Sequence, residues 1–373
     1  MKIGIMTFWW SEDNYGQLLQ CYALQKYLRD QGHDPFLIRY DPRGDYISTP
    51  IYKKLLKALN PVKLFKYFSY KRRRHLSSKE CTIHNRQFSS FRDTYLKQSE
   101  RIYYSYDELK ANPPQADCYI VGSDQVWNFW GVKLSKCKNL VHAYFLDFGS
   151  DSIIRIAYAA SWGKKELSED FVTEISPLLT RFNYISVREK SGIEICKQCG
   201  IGNVTVRCDP TLLLSAEQYR LLYHAEVTEN HIKKYVFVYR LGNSCDFPMK
   251  SLLEWAQKRQ LEVVYVTANG LYDSYEKTYP TITLWLSLID HAEYVITNSF
   301  HCCVFSLIFK KKFGVVPLNK SCSGMNSRIE TLSELFGIKP RWIKQNDFSV
   351  LDDPVNCMMS EYSQFDISEL VNE

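Results

Sequence analysis

The first forty residues restrict the fold most, because they read strand, helix, strand. Lys2-Ile-Gly-Ile-Met-Thr-Phe8 is a short apolar strand. Residues 16–31 carry Leu19, Tyr22, Ala23, Leu24 and Tyr27 close to a helical period, and Gly32 ends that helix. Pro35-Phe-Leu-Ile-Arg-Tyr40 is the next strand. Two strands joined by a crossover helix predict a parallel sheet covered by helices. The alternation continues through Asp117-Cys-Tyr-Ile-Val-Gly122, Ile154-Arg-Ile-Ala-Tyr-Ala159, Tyr184-Ile-Ser-Val-Arg188 and Val204-Thr-Val-Arg207. A second series has strands at 235–239, 262–267, 294–297 and 313–317, with helices over 249–259 and 283–292. Between the series, Asp209-Pro210 and a polar helix over 216–224 make a hinge. The expected fold is α/β, with two Rossmann-like doubly wound domains facing a cleft, spanning 1–215 and 216–373. In such sheets the ligand lies outside the carboxyl ends of the strands. The tail after about residue 347 is acidic and weakly patterned, and is expected to pack back on the N-terminal domain.

Charge separates one segment from the rest. The 373-residue chain has a formal net charge of +6. Ten Lys and Arg residues fall between positions 51 and 79, where no Asp or Glu occurs, so the remainder of the chain sums to −4. Leu55, Leu56, Leu59, Leu64, Phe65, Tyr67 and Phe68 interleave with those cations. The pattern suits peripheral contact with an anionic membrane surface or a lipid-linked substrate, and equally a solvated helical face. No nucleic-acid-binding motif accompanies it, and none of the apolar runs reaches the length of a membrane span. The apolar start is too short for a signal peptide, so the expected location is cytoplasmic, with a peripheral membrane association left open. The twelve cysteines are scattered apart from Cys196-x-x-Cys199 and Cys302-Cys303, a spacing that favours buried thiols over zinc or disulfides. Aromatic residues make up 14%, which suits a sugar-handling cleft or simply a large core.

Three turns could carry chemistry. Tyr294-Val-Ile-Thr-Asn-Ser-Phe-His301 is an apolar strand running into an apolar-faced helix. It places His301 in the first helical turn, where backbone N–H groups attract anions. The alternative is that Asn298 or Ser299 caps the helix and His301 is a surface residue. Ser11-Glu-Asp-Asn-Tyr-Gly16 joins the first strand to the first helix, so Asp13, Asn14 and Gly16 either face the cleft or form a capped turn. The dinucleotide fingerprint and the Walker sequence are both absent. Val121-Gly-Ser-Asp-Gln-Val-Trp-Asn128 presents Ser123 and Asp124 at a strand tip, where Asp124 could accept a proton from a hydroxyl or cap a helix.

These segments, taken in order, resemble the polysaccharide pyruvyl transferase family. The resemblance is carried by Asp13-Asn-Tyr-Gly-Gln-Leu-Leu-Gln20, Val121–Asn128, Ala157-Tyr-Ala-Ala-Ser161, Ser186-Val-Arg-Glu189, Asp209-Pro-Thr211, Ser299-Phe-His301 and Asn326-Ser-Arg-Ile329, ahead of Leu335-Phe-Gly-Ile338. It implies two Rossmann-like halves similar to GT-B glycosyltransferases. It also implies transfer of the enolpyruvyl group of phosphoenolpyruvate onto a sugar diol of a surface or capsular polysaccharide precursor, giving a pyruvate ketal and phosphate. Phosphoenolpyruvate is the donor substrate, the acceptor is a sugar or lipid-linked oligosaccharide, and no cofactor or metal is implied. An Arg-x-His element contacts the donor in the family; His301 matches it, and Ser299 stands at the arginine position. On this resemblance His301 is the acid or steadies the leaving phosphate, and Asp13 or Asp124 is the base. The cations expected around the donor are Arg240 and Arg328, with Arg188 facing the acceptor or the hinge, and Ser299, Asn298, Asn14, Gly16 and Ser123 lining the site. A nucleotide-sugar glycosyltransferase on the same scaffold, or a non-catalytic glycan- or lipid-carrier-binding homologue, are the competing readings.

Overall fold

The computed structural model describes residues 1–42, 83–129, 131–223, 233–242, 245–268, 273–344 and 346–355, with isolated positions between 45 and 79. The basic stretch 51–79, expected to meet a membrane surface, therefore lies almost wholly outside the described residues, as does 356–373.

Seven parallel strands form the first sheet in the order β3-β2-β1-β4-β5-β6-β7. They are β1 (Lys2–Met6), β2 (Asp34–Tyr40), β3 (Gln98–Tyr103), β4 (Cys118–Val121), β5 (Ile154–Ala160), β6 (Tyr184–Val187) and β7 (Thr205–Val206). The second sheet is also parallel, in the order β11-β10-β8-β9, from β8 (Tyr235–Leu241), β9 (Glu262–Ala268), β10 (Tyr294–Thr297) and β11 (Lys312–Val315). The described helices are α1 (Tyr15–Asp30), α2 (Phe88–Tyr95), α3 (Tyr106–Ala111), α4 (Lys138–Tyr144), α5 (Glu169–Leu179), α6 (Ser191–Gln198), α7 (Ala216–Tyr223), α8 (Met249–Lys258), α9 (Ile282–Asp290), α10 (Phe300–Ile308) and α11 (Ser327–Leu335). None of them is long and apolar enough to cross a membrane.

Both sheets are built outward from their first strand, so each has one point where the strand order reverses. In the first sheet it lies between β1 and β4, which pair in register from Ile3↔Cys118 to Met6↔Val121. In the second it lies between β8 and β10, paired from Tyr294↔Val236 to Thr297↔Tyr239. Beyond these paired strands the connections leave toward opposite faces of the sheet, leaving a crevice at the carboxyl ends.

One apolar cluster joins the two halves. Tyr15, Leu18 and Leu19 of α1 share it with Phe237 and Tyr239 of β8, Trp285 of α9 and Phe305 of α10. The Tyr15 ring stacks on Trp285 at 5.1 Å with planes 7° apart, meets Tyr239 edge-on at 5.7 Å, and its hydroxyl donates to the Pro280 carbonyl at 2.9 Å. The segment expected to hinge is a buried 3-10 turn, Pro210–Leu213, and Leu212 and Leu214 enter the same cluster. A joint of this kind resists relative motion, unlike the polar interfaces that let domains move. Residues 347–355 hold to the second sheet: Leu351 packs with Val236 and Val238, and Arg341 Nη2 donates to the Val350 and Asp353 carbonyls. Trp285 is fully buried, so Trp285→Ala is expected to cost about 3–5 kcal/mol and lower the urea midpoint of one shared transition. Separate melting of the two halves would contradict a shared core.

Candidate active site

The crevices of the two sheets meet, and the contact is a glycine against an imidazole. Gly16 opens the first turn of α1, after Asn14 at the N-cap. A Cβ built on Gly16 would lie 2.2 Å from His301 Nδ1, so only glycine lets α1 start against this ring. His301 sits in the first turn of α10, whose N-cap is Ser299. It is 6% exposed, not a surface residue. Ser299 makes no side-chain cap, and the first-turn N–H groups of α10 face the meeting point as helix N-termini do.

On its other side His301 faces Asp209, which ends the connection from β7. His301 Nε2 lies 3.4 Å from Asp209 Oδ2, within ion-pair range but without hydrogen-bond geometry. Asp209 is completely buried and makes four further polar contacts. Oδ2 accepts from Arg188 Nη1 at 2.8 Å and lies 3.0 Å from Ser123 Oγ. Oδ1 accepts from the Thr211 N–H at 3.1 Å and the Thr211 hydroxyl at 2.8 Å. Burial alone would raise its pKa, yet His301, Arg188 and Thr211 outweigh burial and hold the carboxyl well below the usual carboxylate range. Asp209 is thus a fixed anion at neutral pH.

Arg188, at the tip of β6, is 3% exposed. Burial opposes its charge, but Asp209, Asp124 and Glu189 more than offset that and raise its pKa. Its Nη2 lies 3.5 Å from Asp124 Oδ1. Asp124 follows β4 with a left-handed φ of +67°, tolerable for aspartate, and no helix begins there for it to cap. Arg188 and Arg328 both approach the Phe300 ring, at 4.4 Å and 5.7 Å from its centroid. Burial, and then Arg188, push the Arg328 guanidinium down to about 10. Among the described residues its one hydrogen bond runs from Nε to the Met325 carbonyl at 3.1 Å. Within this cluster Arg188 Nε, Arg188 Nη2 and His301 Nε2 are buried and make no hydrogen bond among the described residues; Nη2 and Nε2 have only the longer ion-pair contacts with Asp124 and Asp209. These nitrogens keep hydrogen-bonding capacity that an anionic or polar group placed beside them could use.

The structure thus gathers His301, Asp124, Arg188, Arg328, Ser299, Ser123, Gly16 and Asn14 around the two crevices, and adds four residues that sequence reasoning had not assigned to the site. These are Asp209, Phe300, Glu189 and Gln20. Glu189 Oε1 accepts from the Ser161 hydroxyl and the Trp162 and Gly163 N–H groups. Gln20 reaches across the first crevice, donating to Thr7 Oγ1 at 2.9 Å and accepting from the Ser123 N–H at 3.2 Å. Asp13 lies in the loop before α1, its N–H on Ser11 Oγ at 3.3 Å. Asn298 braces the second crevice: its amide accepts from the Leu241 N–H and donates to the Leu241 carbonyl and Cys245 Sγ. Arg240 is not brought to the cluster. It lies beside Asp273, 3.8 Å away, and over the Phe247 ring, because in β8 it shares a face with Val236 and Val238, opposite Tyr239. No three His, Cys, Asp or Glu side chains gather as metal ligands would among the described residues.

Among solved structures the chain is similar to the UDP-GlcNAc 2-epimerase of Methanocaldococcus jannaschii, with a TM-score of 0.50 at 11% identity, covering 97% of this chain and 94% of that one. The same epimerase in complex with UDP-GlcNAc and UDP gives 0.49 at 11%, covering 100% and 98%. An α-glucosyltransferase in complex with UDP and a 13-mer DNA gives 0.48 at 10%, covering 94% and 88%. At 11% identity the first of these likenesses, at a TM-score of 0.50, is one of fold alone; the chain's own two parallel sheets give the GT-B type of architecture. No curated protein matches the sequence. The family model described as polysaccharide pyruvyl transferase matches residues 14–319, from the cap of α1 past His301, and the chain belongs to that family of transferases.

Proposed function

We propose that the protein moves the enolpyruvyl group of phosphoenolpyruvate onto two hydroxyls of a sugar in a surface or capsular polysaccharide precursor, forming a cyclic ketal and releasing phosphate. The observation that carries this reading is the gathering of the buried Arg188 and Arg328 guanidinium groups over Phe300 and of the His301 imidazole at the N-terminus of α10, with Arg188 Nε, Arg188 Nη2 and His301 Nε2 making no hydrogen bond among the described residues. Phosphoenolpyruvate brings a carboxylate and a phosphate, both suited to guanidinium donors. Around the site the guanidinium groups of Arg188 and Arg328 stand among the carboxylates of Asp124, Asp209 and Glu189.

In the reaction a proton adds to the methylene carbon, and the central carbon becomes electron-poor. The first sugar hydroxyl attacks that carbon and loses its proton to a base. The second hydroxyl then attacks the same carbon as the C–O bond to phosphate breaks; its proton leaves with the phosphate or through the same base. His301 is the acid that loads the methylene, oriented by Asp209, which remains ionised throughout. Asp124 is the base on the acceptor, with Asp13, in the loop after β1, as the alternative. Arg328 and the first turn of α10 hold the phosphate as charge builds on it. Ser299, where family members carry arginine, leaves that pairing to Arg328 and Arg188.

Replacing His301 by Ala is expected to lower phosphoenolpyruvate-dependent phosphate release by roughly 10²–10⁴-fold while far-UV circular dichroism and a cooperative melt persist. Undiminished release from that variant would remove His301 from the chemistry. Phosphoenolpyruvate at about a hundred times its Kd is expected to stabilise the protein by about 2.7 kcal/mol. Arg328→Ala should abolish that thermal shift and Arg328→Lys should restore part of it. A shift with UDP-glucose and none with phosphoenolpyruvate would instead favour a nucleotide-sugar glycosyltransferase.

A further inference from the structure

A second concavity opens beside the first crevice, at the carboxyl ends of β1, β2 and β3. Its volume is ≈ 390 Å³, and Trp9, Trp10, Glu12, Asp41, Arg92 and Tyr104 line it. Trp10 is 39% and Tyr104 52% exposed, in a protein whose other large aromatics are mostly buried. The Trp10 ring stands on a fixed support. Trp9 Nε1 donates to the Tyr40 carbonyl at 2.9 Å, and Trp10 meets Phe8 edge-on at 5.4 Å. Tyr104 follows directly on β3, whose last residue, Tyr103, accepts the Asp41 N–H at 2.7 Å. Arg92 fixes the loop from below, donating from Nη1 to the Ser11 carbonyl at 2.7 Å and pairing through Nη2 with Glu12 Oε1.

We infer that this concavity is a subsite for a neutral pyranose unit of the acceptor saccharide. The inference rests on the pyruvyl-transfer reading and names where its acceptor is held. Three chemical features select this occupant. Solvent-facing aromatic side chains, with few rotatable bonds, bury apolar C–H surface at little entropic cost. Carboxylates accept strong hydrogen bonds from sugar hydroxyls. The lining holds two carboxylates against one guanidinium, a balance that repels the anionic donor and so keeps the two substrates apart. One loop links the pocket to the chemistry. Trp9 to Asn14 form one loop, Ser11 Oγ accepts the Asn14 N–H at 2.8 Å, and Asn14 starts the helix whose Gly16 touches His301. A saccharide seated on Trp10 therefore lies along the loop that leads to the imidazole.

The test uses the full-length protein and the methyl glycosides of glucose, galactose and mannose, titrated by saturation-transfer NMR, with the phosphoenolpyruvate thermal shift measured in parallel. At least one glycoside is expected to bind saturably. Trp10→Ala and Tyr104→Ala should each weaken it roughly tenfold, Trp10→Phe should recover most of the loss, and the phosphoenolpyruvate shift should persist in all three variants. Absence of binding by all three glycosides at the highest soluble concentration, or equal binding to wild type and Trp10→Ala, would overturn the subsite. If either occurs while phosphoenolpyruvate still raises the melting temperature, the pyruvyl-transfer reading stands and only the subsite falls. Binding that depends on Trp10 without any response to phosphoenolpyruvate keeps the saccharide site and removes that reading.

Discussion

A fully buried carboxylate organises the centre of this protein. Asp209 has no water to stabilise its charge, so the fold must surround it with donors, and those donors come from both halves. Arg188 arrives from the tip of β6, Ser123 from the tip of β4, Thr211 from the connecting turn, and His301 from the second sheet. Satisfying one anion thereby fixes the distance between the two sheets' crevices. The aromatic packing of Tyr15 on Trp285 makes the same joint from apolar surface. With both in place the imidazole and two guanidinium groups are presented on a rigid frame, the condition under which electrostatic stabilisation of a developing charge is most effective.

Much of this was legible in the sequence. The strands of both sheets follow from apolar runs bounded by turn residues, and all but one fall within a residue or two of their expected limits. The exception is β3. Its Gln-Ser-Glu-Arg-Ile-Tyr run has neither strict alternation nor a continuous apolar stretch, because an edge strand buries only part of its length. His301, Gly16, Ser123 and Asp124 were legible as tips of strands and starts of helices, since topology alone sends those positions to the crevices.

What stayed hidden depended on contacts across the chain. Asp209 precedes a proline and reads as a linker; nothing local signals that its side chain will be enclosed by residues 21 and 92 positions away. The signal that did exist is Asp-Pro-Thr, where the threonine N–H and hydroxyl return to the preceding carboxylate. Arg188 was visible at a strand tip, but its central place follows from Asp209. Arg240 shows the converse. Strand parity separates it from Tyr239, and counting alternate residues from the core-facing Tyr235 and Phe237 would have sent it to the far face. The pocket at Trp10 was only a compositional hint of aromatic richness until β1, β2 and β3 brought their ends together.

The most direct measurement is a crystal structure of the protein with phosphoenolpyruvate bound. The account predicts the donor between the sheets, its phosphate or carboxylate on the guanidinium of Arg328 and the first turn of α10, and its methylene carbon beside the imidazole of His301. Donor density elsewhere, with that imidazole turned away from it, would contradict the account.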